Sequence, residues 1–519
     1  MSSQSALADP LDVAMLKSRH TGLLIAAVMA MSVCQFIDMT VANVALPHMQ
    51  TSLNASLDTI SWALTSYIIA GVMITPLTGW LSDRFGSRNL YVAASAIFLL
   101  ASALCGAATS LTQIVLFRAL QGIGASFLGS MAQTIMYDLN PPSKQARAMS
   151  IWGMVVIIGP ITGPFLGGFL TENWNWRWVF YVNLPIGIPA LAVLWWLLPS
   201  RPIVMRKLDV FGASMLALGL CSLQLLLDRG QHNDWFESRE TVVEFILGIS
   251  AFWVFFIHNR NEKHKLFPSE MMRNSNFVIG VAFMGLMGIS NVALAAVMPS
   301  LLQQIYHYNV MQAGMLMAPR GCGVMVTMIM SNILIKRVDA RLLIASGYFI
   351  AAYSLWLMSG WSMEMDSGPI IIGGLVQGLG LGLVFMPMNV VAFSSLSAIF
   401  RTEGSMLMTL ARNLGGSFGI SVIVTMLARN TQTSHADIAS HVTSTSLPSI
   451  DPASIADRLG SMGGGLMMMI NGEVSRQAAM VAYLDNFYAM FWLILCFVPL
   501  TFLLRKPPAL VGPAGSPQD

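Results

Sequence analysis

The residue best placed for chemistry is Asp38, an acid inside the first long apolar run. The stretch Thr21–Pro47 is almost entirely hydrophobic, and its main polar residues are Gln35, Asp38, Thr40 and Asn43. At about 1.5 Å per residue, such a run crosses the ~30 Å hydrocarbon core of a membrane. A carboxylate at that depth costs roughly 2.5–3.5 kcal/mol to insert. Either Asp38 is a polar residue turned toward the protein interior or, as we favour, it is a proton or cation site in a water-accessible cavity.

Arg118 is the cation that can pair with Asp38. It lies in the fourth apolar run, and counting along both runs places the two residues on the outer side of the membrane centre, roughly 6–9 Å from it. Because intramembrane charges are usually paired, we expect contact if the first and fourth helices face one cavity. A purely structural ion pair is the alternative. The residues expected to line the substrate cavity are Asp38, Asn43, Arg118, Gln121, Arg320 and Arg412.

The composition is that of a polytopic membrane protein. The chain has 519 residues, of which 55% are hydrophobic and 10% charged, and its mean hydropathy is +0.65. A soluble protein carries about 25% charged residues. All five cysteines fall in apolar runs, which argues against a disulfide framework or a metal cluster. With no HExxH, P-loop or nucleophile–base pattern, we expect no enzyme activity, no metal, no cofactor and no nucleic-acid partner.

Fourteen apolar runs are long enough to span a membrane, and each should be a helix because lipid offers the backbone no other hydrogen-bond partner. They lie at about 22–46, 58–79, 90–109, 112–136, 147–170, 178–199, 209–227, 241–258, 276–302, 311–335, 342–361, 369–393, 404–429 and 482–504. With the N-terminus in the cytoplasm, nineteen of the 28 Lys and Arg residues fall on the cytoplasmic side and six outside. This bias follows the positive-inside rule and predicts that both termini are cytoplasmic.

The runs divide the chain into an all-α arrangement of two six-helix bundles with two inserted helices. We expect a cytoplasmic N-terminus at 1–20, the first bundle at 21–200, the inserted helices with their linkers at 201–275, the second bundle at 276–504 and a cytoplasmic tail at 505–519. A long outward loop is expected at 430–481. Its apolar patch, Leu459–Ile470, is either a surface for the membrane or a partner, or a flexible and sticky segment.

The turn after the second run resembles the loop signature of the major facilitator superfamily. It reads Gly79-Trp80-Leu81-Ser82-Asp83-Arg84-Phe85-Gly86-Ser87-Arg88, with Ser87 where that family often has a basic residue. The glycines permit a tight turn. The resemblance implies that the acid and arginine latch a cytoplasmic gate, and the residues concerned are Gly79, Asp83, Arg84, Gly86 and Arg88.

Two further stretches are similar to motifs of that superfamily. Arg118–Ala125 resembles its fourth-helix motif, whose arginine is associated with proton transfer. Gly159–Gly168 resembles the antiporter motif of its exporters through the repeated Gly-Pro pair, and glycines at i, i+4 spacing let another helix approach closely. The motif residues are Gly159, Pro160, Gly163, Pro164, Gly167 and Gly168. The expected direction of transport, outward, rests on this resemblance.

Four stretches narrow the resemblance to the fourteen-helix drug:proton antiporters of the EmrB type: Asp38–Pro47, Trp176–Gly187, Leu301–Tyr306 and Ala318–Gly321. The resemblance implies export of small amphipathic organic compounds across a bacterial cytoplasmic (inner) membrane, driven by protons through Asp38 and Arg118. It also implies a periplasmic adaptor (membrane fusion) protein and an outer-membrane channel as partners. A proton-coupled nutrient or metabolite transporter on the same fold and a membrane sensor without transport stay open as alternatives.

Overall fold

The computed structural model describes residues 14–16, 18–203, 205, 207–231, 233–262, 266–267, 269–335, 337–394, 396–397, 400–441 and 461–505. It leaves out the side chains at positions 57, 58, 157, 158, 160, 161, 164, 310 and 461–467. Over these residues the chain is almost entirely helical and contains no β-strand.

Seventeen α-helices follow one another in the described part of the chain. In order they are α1 Thr21–Ser52, α2 Leu57–Ile74, α3 Thr78–Phe85, α4 Ser87–Ala107, α5 Leu111–Leu139, α6 Pro142–Asn173, α7 Trp178–Tyr181, α8 Asn183–Leu197, α9 Val210–Arg229, α10 Arg239–Asn261, α11 Ser269–Arg273, α12 Ser275–Gln304, α13 Val310–Leu334, α14 Ala340–Ser359, α15 Ser367–Ser394, α16 Arg401–His441 and α17 Ser461–Phe497.

All fourteen predicted runs fall on helices, which confirms the predicted fold class. Thirteen helical segments of the described chain are long and apolar enough to cross a membrane. One is α2 continued by a 3₁₀ turn, Thr75–Leu77, into α3, and another is α7 with α8. The fifth run is α6, whose 32 residues extend about 48 Å. The chain is therefore a multi-pass membrane protein.

The helices form two halves, α1–α8 and α12–α17, with α9 and α10 between them in sequence. In the first half α1 packs against α6 and α8, and α5 against α2 and α4. In the second half α13 packs against α15, and α12 against α16. The halves meet mainly where α13 lies along α6 and α16 along α5. This interface is where a transport pathway between two bundles would lie.

The inserted helix α9 is bonded to both halves. Asp228 near its end accepts a hydrogen bond from Thr65 of α2. Gln224 donates through Nε2 to Ser417 Oγ of α16 at 3.0 Å. At the other end, Asp209 caps α9 through the Gly212 N–H and contacts His258 Nε2 of α10 at 2.8 Å. The inserted pair is thus a lateral support that touches each bundle.

The expected loop at 430–481 is helical at both ends, which corrects that expectation. Helix α16 has 41 residues and α17 has 37, or about 61 and 55 Å, so both exceed the ~30 Å hydrocarbon core. His435 Nε2 lies 3.0 Å from Asn471 Oδ1 across the pair. Hydropathy marks where the membrane ends, whereas a helix continues wherever its backbone bonds and neighbours permit. Residues 442–460, including the start of the patch Leu459–Ile470, lie outside the described residues.

Candidate functional site

Asp38 and Arg118 form a buried ion pair in the first half. Asp38 lies in the middle of α1 and Arg118 near the start of α5. Arg118 Nη1 donates to Asp38 Oδ2 at 2.7 Å. The side chain of Arg118 is 1% exposed and that of Asp38 is 0% exposed. The structure thus brings together the two charges whose depth along the runs predicted contact.

Two amides complete the surroundings of the carboxylate. Gln121, one helical turn after Arg118 on α5, donates through Nε2 to Asp38 Oδ1 at 2.8 Å. Asn183, the first residue of α8, donates through Nδ2 to the same oxygen at 3.0 Å. Asp38 therefore accepts three hydrogen bonds, one of them from a cation, and such bonds stabilise the ionised carboxylate.

The Arg118 guanidinium is itself held on several sides. Its Nε donates to the Ala63 carbonyl of α2 at 3.1 Å, and its Nη1 also donates to Gln121 Oε1 at 2.8 Å. The ring of Tyr67 lies 4.3 Å from the guanidinium carbon, a cation–π distance. A cation fixed by a carboxylate, two carbonyl-type oxygens and a ring has little freedom to move unless α1, α2 and α5 move.

Ser102 of α4 links the two amides. Its Oγ accepts from Gln121 Nε2 at 3.3 Å and from Asn183 Nδ2 at 3.0 Å, and donates to the Phe180 carbonyl at 2.9 Å. The cluster thus joins side chains from α1, α4, α5 and α8. A buried network with this many satisfied members fixes one arrangement of its helices.

Reasoning from the sequence missed Tyr67, Ser102 and Asn183 as members of this cluster. Asn183 stands inside Trp176–Gly187, a stretch that carried the family resemblance, so a signal for it was present. Tyr67 and Ser102 are single polar side chains within apolar runs, and nothing in their spacing distinguishes them from other buried hydroxyls.

Of the other residues expected in the cavity, Asn43 lies on a different part of α1. It is exposed, five residues beyond Asp38, which is about 140° around the helix. Arg412 of α16 is 8% exposed, and its guanidinium carbon lies 5.5 Å from the ring centre of Phe36 on α1. Arg412 therefore faces the first half close to the Asp38 helix. Arg320 is buried in α13, within the second half.

The glycines of the antiporter-like motif lie against α1. A Cβ on Gly163 of α6 would be 1.9 Å from Thr40 Oγ1, and one on Gly159 would be 2.7 Å from Phe36 Cβ. Gly167 faces the Val41 carbonyl in the same way, at 3.1 Å. Gly168 is buried, and the side chains of Pro160 and Pro164 lie outside the described set. Close approach of α6 thus fixes α1 on the flank of Asp38.

The loop signature lies where the first half meets α16. A Cβ on Gly79 would be 2.8 Å from Glu403 Cγ of α16. Gly86 turns the chain from α3 to α4 with φ of +84°, a value that favours glycine. Arg88 donates to the Trp195 carbonyl of α8, and Arg84 Nη1 lies 3.3 Å from Met205 Sδ. Asp83 also has interactions with its surroundings and is partly buried.

An arginine near this signature bonds both halves, and no motif in the sequence pointed to it. Arg201, in the segment between α8 and α9, donates to both oxygens of Asp138 at 2.5 and 2.8 Å. Its Nη1 donates to Thr402 Oγ1 of α16 at 3.0 Å. Its backbone N–H donates to Ser87 Oγ at 3.1 Å, so Arg201 lies beside the position where the family often has a basic residue. One arginine therefore bonds α4, α5 and α16.

Further contacts close the same end of the interface. Gln133 Nε2 of α5 donates to Asn389 Oδ1 of α15 at 2.5 Å. Ser405 Oγ of α16 donates to the Ser130 carbonyl at 2.6 Å. We call this end of the interface, where α5 ends and α16 begins, the terminal end. The N-terminal segment of the chain lies there, since the Leu16 N–H donates to the Asp138 carbonyl. The two halves are closed against each other at the terminal end.

Comparison with known proteins identifies the family. Residues 28–420 match the family profile described as Major Facilitator Superfamily. The chain is 30% identical over 486 residues to the fatty acid resistance protein FarB of Neisseria gonorrhoeae, covering 93% of this chain and 95% of that protein. It is 29% identical over 487 residues to the multidrug export protein EmrB of Escherichia coli K12, covering 93% and 94%.

Among solved structures, the human organic anion transporter MFSD10 (TETRAN) aligns with a TM-score of 0.56 and 14% sequence identity. The alignment covers 92% of this chain and 99% of that one. At this identity the likeness shows a shared fold. By its match over most of its length and by its fold, the chain belongs to the Major Facilitator Superfamily and, within it, to the EmrB-type members.

Proposed function

We propose that the protein exports small amphipathic organic compounds in exchange for protons, by alternating access across a bacterial cytoplasmic membrane with both termini inside. The observation that carries the proposal is the buried Asp38, an acid in a membrane span whose carboxylate is held by Arg118 and two amides. The names of two relatives, a multidrug export protein and a fatty acid resistance protein, support export of organic molecules.

In this mechanism Asp38 binds a proton when its cavity opens outward and releases it inward. The Arg118 guanidinium stabilises the ionised carboxylate and so favours release. Alternating access changes how strongly Asp38 holds its proton, either by wetting the cavity or by moving α1 against α5. A cationic substrate competes for the same carboxylate, which would couple the two fluxes through one site.

The proton gradient supplies enough energy for this exchange. One charge moving through 100 mV is worth about 2.3 kcal/mol, and one pH unit adds about 1.4 kcal/mol. One net proton thus supplies roughly 3.7 kcal/mol, which sustains a several-hundred-fold gradient of a neutral substrate. No cofactor is required.

A proton-coupled importer on the same fold is the nearest rival, and a sensor without transport is the other. The glycines of α6 that resemble the antiporter motif favour export over import. Inserting two charged side chains into the membrane costs free energy, and a sensor without transport has no need of them. Oriented vesicles separate the three, because export, import and no transport give opposite or absent substrate movement under an imposed pH gradient.

Replacing Asp38 by asparagine tests the coupling site. Asp38→Asn keeps the size and polarity of the side chain but cannot titrate, so it should abolish efflux driven by a pH gradient while leaving the protein inserted. The measurement is substrate movement in proteoliposomes with and without an imposed gradient, together with the amount of protein in the membrane.

Glu244→Gln is the matched control. Glu244 is an acid on the inserted helix α10, 8% exposed and away from the Asp38 cluster. This variant should retain gradient-driven efflux. Uphill efflux by the Asp38→Asn protein would show that Asp38 is not the essential coupling site.

The partners implied by the family resemblance are part of the proposal. We infer that the protein works with a periplasmic adaptor and an outer-membrane channel, and that the projecting parts of α16 and α17 face the adaptor. Met468 and Met469 of the predicted patch lie near the start of α17 and are 78% and 75% exposed, which supports this placement.

A further inference from the structure

The second half contains a buried cation with unused hydrogen-bond donors. Arg320 of α13 is 3% exposed. Its Nη2 donates to the side chain and backbone oxygens of Asn291 on α12. Its Nε and Nη1 have no acceptor among the residues that the structure describes. A guanidinium in a membrane interior is costly unless an anion or several acceptors surround it, so this site is incomplete as it stands.

This cation lies beside a repeat of the Asp38 site. Leu120-Gln121-Gly122-Ile123-Gly124 of α5 has a counterpart in Val376-Gln377-Gly378-Leu379-Gly380 of α15. Three residues before the glutamine stands Arg118 in the first half and Gly374 in the second. A Cβ on Gly374 would be 3.7 Å from Arg320 Cβ. The neighbouring helix α13 therefore supplies the guanidinium that α15 lacks.

The second-half counterpart has a serine in place of the acid. Asp38 lies nine residues before Pro47 in α1, and the residue nine before Pro299 in α12 is Ser290. The glutamine also differs in its bonding: Gln121 Oε1 accepts from Arg118, whereas Gln377 Oε1 has no donor within the described chain. The first half thus holds a cation with its own acid, and the second half holds Arg320, which has no acid beside it in the part of the chain that the structure describes.

The surroundings of Arg320 are otherwise apolar. A cavity of about 10 Å³ adjoins Arg320 and Gln377, which is room for roughly one water molecule. Its apolar lining comes from Leu294, Met298, Leu302, Leu316, Met317 and Ile370. Methionine side chains are flexible and repack around varied shapes. A larger ligand therefore enters only when α12, α13 and α15 move apart around this cavity.

We propose that Arg320 binds the carboxylate of a monoanionic amphiphile, with the Asn291 and Gln377 amides beside it and the aliphatic tail along the apolar lining. The charge of +1 on Arg320 matches a monoanion, and the lining matches a hydrocarbon chain better than a hydrated inorganic ion. This inference names a substrate class and rests on the proposed export function. The carboxylate occupies the place that Asp38 occupies in the first half.

The test measures binding without any gradient, so that it does not depend on proton coupling. The full chain in phosphatidylcholine nanodiscs is titrated with radiolabelled dodecanoate, and empty nanodiscs are subtracted. Arg320→Gln should weaken dodecanoate binding by roughly 10- to 100-fold, since charge-assisted hydrogen bonds are lost. Arg320→Lys, which keeps the charge and guards against misfolding, should weaken it by less than Arg320→Gln. Dodecanol should bind equally to all three proteins.

A second variant supplies the missing acid. Gln377→Glu places a carboxylate beside Arg320, so it should compete with dodecanoate and reduce binding at least about tenfold. Gln224→Glu on α9 is the matched control, because both glutamines are 1% exposed and both have an Oε1 without a donor in the described chain. The control should bind dodecanoate like the original protein.

Three results would overturn the inference: equal dodecanoate binding by the original and Arg320→Gln proteins, full displacement of dodecanoate by chloride at equal concentration, or an equal loss for Gln377→Glu and Gln224→Glu. Failure of the export proposal is a separate result. Binding that depends on Arg320 in a protein that moves no substrate under a pH gradient would sustain this inference while removing the proposed function.

Discussion

At the scale of single residues, Asn183 shows how the Asp38 site is held. Its amide donates both to Asp38 Oδ1 and to Ser102 Oγ, at 3.0 Å in each case, and its side chain is buried. Because α8 begins at this residue, the amide ties the start of a helix to the carboxylate on α1. Its loss would leave the carboxylate with two of its three donors.

We expect Asn183→Ala to lower stability and slow efflux. A hydrogen bond to a charged group contributes about 1.5–3 kcal/mol, so for a chain of 519 residues the unfolding temperature of the detergent-solubilised protein should fall by about 1–3 °C. Efflux should decline because the carboxylate is less well positioned. Both are measured on the same preparation.

Asn173→Ala serves as the comparison. Asn173 is exposed at the end of α6 and donates to the Phe169 carbonyl at 2.8 Å within its own helix. Its loss should change stability by less than about 0.5 kcal/mol. Equal behaviour of the two variants would remove Asn183 from the site.

At the scale of helices, Arg201 holds the terminal end closed. It comes from the segment that leads to the inserted helices, yet it bonds Asp138 of α5 and Thr402 of α16. Its side chain is 11% exposed and that of Asp138 1%, and Asp138 also lies 3.6 Å from Nη1 of Arg401 on α16. Opening of this end therefore requires the Arg401–Asp138 contact to break, together with either the Arg201–Asp138 pair or the Arg201–Thr402 bond.

We expect Arg201→Ala to favour opening of the terminal end. The reporter is Ser405→Cys, in a chain whose five native cysteines are replaced, because Ser405 is fully buried and faces Ser130 across the interface. N-ethylmaleimide should label this cysteine at least about tenfold faster once Arg201 is removed.

The control for this effect is Arg229→Ala. Arg229 pairs with Glu240 between the two inserted helices and makes no ion pair to either half in the described chain. Its loss should leave the labelling rate unchanged. An unchanged rate for Arg201→Ala as well would contradict the assigned latch role.

At the scale of the whole molecule, the projecting helical pair is the surface that we propose for the adaptor. Helices α16 and α17 are longer than the membrane is thick. Asn430 Nδ2 of α16 bonds to Asp485 of α17, and His435 of α16 bonds to Asn471 of α17. Two paired helices present a stiffer surface than an unstructured loop would. Exposed methionines on such a surface are typical of contacts that adapt to a partner.

We expect Met468→Asp with Met469→Asp to weaken capture of the co-expressed adaptor by at least tenfold in pull-down from membranes, because two charges replace apolar contact area. Ala436→Asp, at an exposed position on the projecting part of α16, is the control and should leave capture intact. Undiminished capture by the double variant would place the adaptor elsewhere.

The spans, the central charges and the close helix contacts followed from the sequence. Lipid requires every span to satisfy its own backbone, so length and hydropathy suffice to predict fourteen helices whatever their packing. Asp38 and Arg118 could be paired in advance because an unpaired charge is costly in the membrane and their depths agreed. Confirmation of the fold class shows how far this local physics extends.

The tertiary structure alone decided which side chains meet. Asn183, Arg201 and Arg320 acquire their roles from helices distant in sequence, and their partners depend on how those helices rotate and approach. Asn43 shows the reverse, since it shares a run with Asp38 but faces another direction. Hydropathy does not describe rotation about a helix axis or a helix that continues past the membrane. The direction of each side chain and the projecting pair of helices were therefore visible only in the tertiary structure.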